Sequence, residues 1–77
     1  MADRMALIEA PEGTQEFGHT VSYSPILGGE GKMIERYELV LHVDGTPCGC
    51  AYATDPAEFK DLIHRWETFG KVLLPEM

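Results

Sequence analysis

Two cysteines separated by a single residue come nearest to a chemical motif in this chain. Cys48 and Cys50 would suit a metal or a redox step, but a zinc site needs about four Cys, His or carboxylate ligands. The three histidines, His19, His42 and His64, complete no second ligand motif. A disulfide between residues two apart on one strand has poor geometry. We therefore expect both thiols to pack in the core as small apolar groups, with metal or redox use as the alternative.

A glycine-rich segment, residues 28–32, superficially suggests phosphate binding. The phosphate-loop pattern G-x-x-x-x-G-K-[ST] fails at both ends, because Ile26 replaces the first glycine and Met33 follows the lysine. Glu30 within the segment would also repel phosphate. The segment is better interpreted as a flexible hairpin loop. No acid–base pair stands out among the scattered carboxylates, so we expect no enzyme, no metal and no cofactor.

Alternation of apolar and polar residues predicts strands over residues 15–23 and 32–43. Asp44-Gly45 then suits a two-residue hairpin turn, because both central positions of a type I′ turn need positive φ. This turn would pair Leu41 with Cys48. The resulting register predicts an apolar face made of Tyr37, Leu39, Leu41, Val43, Cys48, Cys50 and Tyr52. It predicts a second, mixed face made of Glu38, Val40, His42, Gly49 and Ala51.

The strongest helix signal covers residues 55–69. Asp55 can cap the helix, Pro56 suits its first position and Gly70 can end it. Asp61 and Arg65 are spaced as an ion pair one turn apart. An apolar stripe recurs at helical spacing: Phe59, Leu62, Ile63 and Trp66.

These elements predict one small α+β domain over residues 1–77. A three- or four-stranded antiparallel sheet, residues 15–53, carries one amphipathic helix, residues 55–69, across one face. Residues 1–12 are interpreted as a strand or an arm. Because so short a chain buries only roughly 60% of its unfolded surface, we expect it to act through its surface or by self-association.

The charge indicates the class of partner. The chain has 13 acidic and 6 basic side chains, a net charge of −7, and its basic residues are scattered. Direct binding to nucleic acid needs clustered Lys and Arg, so it is disfavoured, whereas a basic protein or ribonucleoprotein surface is favoured. No apolar run approaches the length of a membrane span, and no signal peptide precedes the cysteines. We therefore expect a cytoplasmic protein without a membrane partner.

Five acids are the candidate contacts with such a partner, because they fall on or near loops and the hairpin. They are Glu16, Glu30, Glu35, Glu38 and Asp44. If they line one surface, they would imitate the phosphates of DNA and occupy a basic groove.

Overall, the chain resembles the small acidic anti-CRISPR proteins encoded by phages. The resemblance lies in length, acidity and the hairpin–helix order from Lys32 to Phe69. That group shares no motif, so no functional residue is carried over. The resemblance implies a non-enzymatic inhibitor that blocks DNA binding by a CRISPR effector in the bacterial cytoplasm.

Two other functions stay open. One is a small structural or assembly homodimer that pairs through an edge strand or through Val40, Gly49 and Ala51 on the second sheet face. The other is a small metal or redox protein that uses Cys48 and Cys50.

Overall fold

The computed structural model describes residues 4–75 and has the predicted α+β fold. Residues 1–3 and 76–77 lie outside the described residues, so the predicted strand or arm over 1–12 is described from Arg4 and contains a strand. The elements, in chain order, are β1 (Met5–Glu9), β2 (Phe17–Tyr23), β3 (Ile26–Leu27), β4 (Met33–Ile34), β5 (Tyr37–Val43), β6 (Thr46–Ala53), a 3-10 turn (Pro56–Phe59), α1 (Lys60–Phe69) and β7 (Lys71–Pro75).

The central sheet is antiparallel, with strand order β2-β5-β6. Asp44 and Gly45 join β5 to β6 with φ values of 48° and 84°, as a type I′ turn requires. Val43 faces Thr46 across the turn, as the turn predicts.

A β-bulge in β6 makes the rest of the predicted register wrong. Between Leu41 and His42 the pairing shifts by one residue, so Leu41 faces Gly49 rather than Cys48. Because side chains alternate between faces, a shift of one residue reverses the whole strand. Cys48 and Cys50 are therefore exposed, and the prediction that they pack in the core is wrong.

The same shift moves the following residues of β6 to the face opposite the predicted one. Ala51 faces Leu39 and is buried, whereas Cys50 faces Val40 on the opposite side. Gly49 lies against Ile8, whose side chain would be 3.1 Å from an added Cβ. A dimer interface that combines Val40 with Gly49 and Ala51 is therefore wrong, because these residues do not share a face.

The helix lies on the Leu39 face of the sheet. The predicted helix over residues 55–69 begins as the 3-10 turn and continues as α1 from Lys60. Asp55 caps the 3-10 turn by accepting a hydrogen bond from the Ala57 N–H at 3.0 Å, and Gly70 ends α1 with φ 67°. The Trp66 indole N–H donates to the Gly18 carbonyl at 3.1 Å, and its ring meets Phe17 edge-on at 5.6 Å. The buried core consists of Leu39, Leu41, Ala51, Phe59, Trp66, Val72 and Leu74.

Strands β1 and β7 pair antiparallel as a two-stranded ribbon. In β7, Val72 and Leu74 are buried and the residues between and beside them are exposed. In β1, Ala6 and Ile8 are half-buried in the same alternation. One side of the ribbon therefore completes the core, and the other side faces solvent.

Strands β3 and β4 pair as a short hairpin that extends from the β2–β5 end of the sheet. We call residues 24–36 the arm; this name no longer refers to the predicted arm over residues 1–12. Its base is closed by the Ser24 N–H donating to the Arg36 carbonyl at 2.8 Å, and its tip by the Gly28 N–H donating to the Lys32 carbonyl at 2.7 Å. The glycine-rich segment is thus a hairpin tip. The molecule is elongated, measuring 47 × 28 × 19 Å.

Candidate functional site

The structure brings two of the five predicted contact acids together, but for a structural reason. The Asp44 carboxylate accepts hydrogen bonds from the N–H groups of Gln15 and Glu16, at 3.0 and 2.9 Å. The Asp44 N–H donates in turn to the Glu16 carbonyl at 2.9 Å. One carboxylate oxygen therefore anchors the β1–β2 loop to the β5–β6 turn. The Glu16 side chain, presented by this anchored loop, is exposed.

Glu38 lies on the face of the sheet opposite the helix, which we call the outer face. Its carboxylate accepts a hydrogen bond from the Tyr52 hydroxyl at 2.7 Å. This hydrogen bond and the nearby negative charge raise the pKa of the Tyr52 phenol above its ordinary value. The Arg36 guanidinium lies 4.2 Å from the centre of the Tyr52 ring and donates to the Ser24 carbonyl and hydroxyl. Glu38 is therefore held in a fixed position at the base of the arm.

The remaining two acids lie on the arm. Glu30 is exposed at the tip and Glu35 is exposed between β4 and β5. Glu16 precedes β2 at the other end of the sheet, and seven residues of β2 span roughly 20 Å at the usual rise of a strand. These acids are therefore spread along the length of the molecule rather than gathered in one cluster. We call Glu16, Glu38, Glu35 and Glu30 the acidic row.

The histidines do not converge on a catalytic pair. His19 Nδ1 lies 3.0 Å from the Glu67 carboxylate of α1. His42 Nε2 lies 3.2 Å from the Thr20 hydroxyl. Because successive residues of β2 point to opposite faces, His19 and Thr20 direct these two contacts to different sides of the sheet.

Among the described residues, the exposed cysteines have no third ligand beside them. Partial burial raises the pKa of the Cys48 thiol, which favours the thiol over the nucleophilic thiolate. Within residues 4–75, no group of three or more His, Cys, Asp and Glu side chains is placed to hold a metal ion. Cys48 and Cys50 are thus surface thiols beside the bulge, and the pair alone supplies only two soft ligands.

Sequence reasoning missed the exposed apolar surfaces. Ten large apolar side chains are exposed in the described part of the chain, and they form two groups. The arm and the adjoining β2 carry Val21, Tyr23, Ile26, Leu27, Met33 and Ile34. The ribbon and the end of α1 carry Met5, Leu7, Phe69 and Leu73. The sequence did contain one signal, the two apolar dipeptides that flank the glycine-rich tip. Two adjacent apolar residues do not fit the alternation of a strand that buries only one face.

The second group lines a groove of about 420 Å³ between the outer side of the ribbon and α1. We define the groove by Met5, Leu7, Phe69 and Leu73. Leu7 and Leu73 face each other across the ribbon. The polar rim includes Lys71 and the Asp61–Arg65 ion pair, whose atoms are 2.7 Å apart.

Comparison of the chain with protein-family models, with curated proteins and with solved structures found no significant match. No helix of residues 4–75 is long and apolar enough to cross a membrane.

Proposed function

We propose that this chain is a non-enzymatic binding protein whose acidic row occupies the basic surface of a larger, nucleic-acid-handling complex and thereby inhibits that complex. The observation that carries the proposal is the uncovered outer face, on which Glu38 is fixed by Tyr52. The net charge of −7 would steer such a partner toward the chain.

The spacing of the acids supports an extended contact. Glu16 and Glu30 lie toward opposite ends of an elongated molecule that measures 47 Å in its longest direction. Nucleic-acid-binding grooves are lined by cations that follow a phosphate backbone. A row of carboxylates matches such a groove better than a compact acidic cluster would.

Two of the predicted contact acids have distinct roles in this proposal. Asp44 positions the loop that presents Glu16, since its carboxylate is used by backbone N–H groups. Glu38 contacts the partner directly, and its hydrogen bond to Tyr52 reduces the side-chain entropy lost on binding. A CRISPR effector whose DNA-binding surface would be blocked is the partner that the resemblance to anti-CRISPR proteins suggests.

The proposal is tested by affinity capture from a bacterial lysate with three baits. They are the native chain, the Glu35→Gln/Glu38→Gln variant and a control, Asp55→Asn/Glu58→Gln, which removes the same charge from the start of the helix. We expect the native chain and the control to retain a DNA- or RNA-binding complex at low salt. The acidic-row variant should lose it, because screening and charge removal both weaken ionic contacts.

Competition supplies the decisive readout. Double-stranded DNA added to the lysate should displace the captured complex if both occupy one basic surface. Equal capture by the two double variants, or capture that neither salt nor DNA reduces, would contradict the acidic row as the contact surface.

A further inference from the structure

The two apolar surfaces call for a partner of their own. The arm exposes Leu27 and Met33 by 69% and 59%, and the groove exposes Leu7 and Phe69 by 58% and 64%. Contiguous exposed apolar side chains of this size are typical of protein–protein contacts. The acidic row does not account for the groove, which contains none of its residues, and the ionic contacts proposed for Glu30 and Glu35 leave the apolar side chains of the arm without a partner.

Charge indicates which partner fits these surfaces. The arm carries Glu30, Lys32, Glu35 and Arg36. The groove is lined by Asp61, Arg65 and Lys71, and Glu9 lies opposite Lys71 across the ribbon. Each set holds two acids and two bases, although the whole chain has a net charge of −7. Neither surface carries an excess of negative charge, so a contact between two copies at these surfaces adds no local repulsion to that of their net charge. A strongly basic partner would gain no net electrostatic attraction in the groove.

The arm and the groove are complementary in shape. The arm is a projecting hairpin, and the groove is a hollow between the ribbon and α1. Leu27 and Met33 are cross-strand partners and so project from one face of the arm. Leu7 and Leu73 are cross-strand partners in the ribbon and form the floor that such a pair would cover.

One copy cannot bring its own arm to its own groove. Phe69 precedes Gly70, where an added Cβ would lie 2.9 Å from the Phe17 ring, so the end of α1 is next to the start of β2. The arm continues from Tyr23 at the other end of β2, a strand that spans roughly 20 Å. The contact must therefore form between molecules.

We propose that the arm of one copy docks in the groove of a second copy, with Leu27 and Met33 packed against Leu7, Leu73 and Phe69. A reciprocal exchange of arms closes a symmetric dimer, whereas one-way docking adds copies head to tail. This association goes beyond the proposed function, since it leaves Glu16 and Glu38 at the outer face and needs no other protein.

Sedimentation velocity of the purified chain, from micromolar to millimolar concentration, is the first test. We expect the native chain to associate as concentration rises. Leu27→Glu/Met33→Glu, the arm variant, and Leu7→Glu/Leu73→Glu, the groove variant, should each stay monomeric, because a buried carboxylate in the contact is unfavourable. All four positions are exposed, so both variants should keep the native circular dichroism and Trp66 fluorescence.

An equimolar mixture of the two variants is the deciding experiment. The intact groove of the arm variant can receive the intact arm of the groove variant, so the mixture should form a dimer that neither variant forms alone. A mixture that stays monomeric while the native chain associates would overturn arm-in-groove docking in favour of contacts between like surfaces. A native chain that is monomeric at every concentration would overturn self-association altogether. If the groove variant does not fold, Phe69→Glu at the end of α1 replaces it.

Discussion

Individual carboxylates in this protein differ in the hydrogen bonds that their side chains make. Asp44 uses its side chain to hold two backbone N–H groups of a neighbouring loop, whereas Glu38 accepts one hydroxyl on an open face. Both are acids near a hairpin, and composition alone does not distinguish them. The hydrogen-bond partners do, because a carboxylate that satisfies backbone donors is part of the fold.

The Tyr52–Glu38 hydrogen bond predicts a pH effect. The pKa of Tyr52 in the folded state lies above its ordinary value of 10.0. As pH rises, the Tyr52 hydroxyl therefore loses its proton at a lower pH in the unfolded chain than in the folded chain. The stabilisation is therefore fully present below pH 10 and is lost as pH rises through the titration of folded Tyr52. We expect Glu38→Gln to lower the pKa of Tyr52.

The measurement is the difference in tyrosinate absorbance between each protein and its Tyr52→Phe counterpart. Glu35→Gln is the matched control, since Glu35 lies nearby in the chain but the Tyr52 hydroxyl donates to Glu38. An unchanged Tyr52 titration in the Glu38→Gln variant would show that the hydrogen bond is not the cause.

At the scale of elements, strand β6 shows how one local irregularity alters a face. The predicted turn at Asp44-Gly45 is correct, and the error begins at Cys48, three residues after Gly45, where the bulge pairs Leu41 with Gly49. Pro47 cannot donate to the ladder, which was visible in the sequence. The bulge itself was not visible in the sequence, because a bulge inserts one residue without any fixed sequence signature. The small residues Gly49 and Ala51, rather than the thiols, therefore face the core.

The ribbon predicts a contrast between two adjacent leucines of β7. Leu74 is 2% exposed and Leu73 is 51% exposed. Leu74→Ala should destabilise the fold by about 2–5 kcal/mol, since it leaves a cavity in the core. Leu73→Ala should change the free energy of unfolding by less than about 1 kcal/mol. Urea denaturation of both variants measures the difference, and similar losses would mean that the ribbon does not alternate as described.

At the scale of the whole molecule, net charge and shape act together. An elongated chain with a net charge of −7 repels itself, and its core contains only seven buried hydrophobic residues among those described. Its charge-balanced surfaces are also its exposed apolar surfaces. The groove, which contains no residue of the acidic row, is therefore suited to a neutral apolar contact, whereas the arm carries its apolar side chains beside Glu30 and Glu35.

Self-repulsion predicts that moderate sodium chloride raises the melting temperature, because added ions screen the like charges of the folded chain. The effect should shrink in a variant with Glu12→Gln, Glu16→Gln, Glu30→Gln and Glu35→Gln, whose four side chains are exposed. Scanning calorimetry over a salt series at fixed low protein concentration compares the two proteins. If salt raised the melting temperature equally in the two proteins, net charge would not be the cause of the effect.

The sequence by itself determined the local features of this protein. The hairpin turn at Asp44-Gly45, the helical segment capped by Asp55 and ended by Gly70, and the burial of Trp66 all follow from neighbouring residues. Turn chemistry, caps and helical periodicity act over a few positions, so they can be interpreted without the fold. The α+β class followed from those elements.

Only the tertiary structure decided what depends on distant residues. The bulge exposed Cys48 and Cys50, the loop contact made Asp44 a structural residue, and the pairing of the chain ends formed the groove. Each outcome depends on which strand lies beside which, and sequence spacing does not fix that pairing. The acidic composition was therefore evident from the sequence, whereas its arrangement as a row, and the apolar surfaces beside it, required the packed fold.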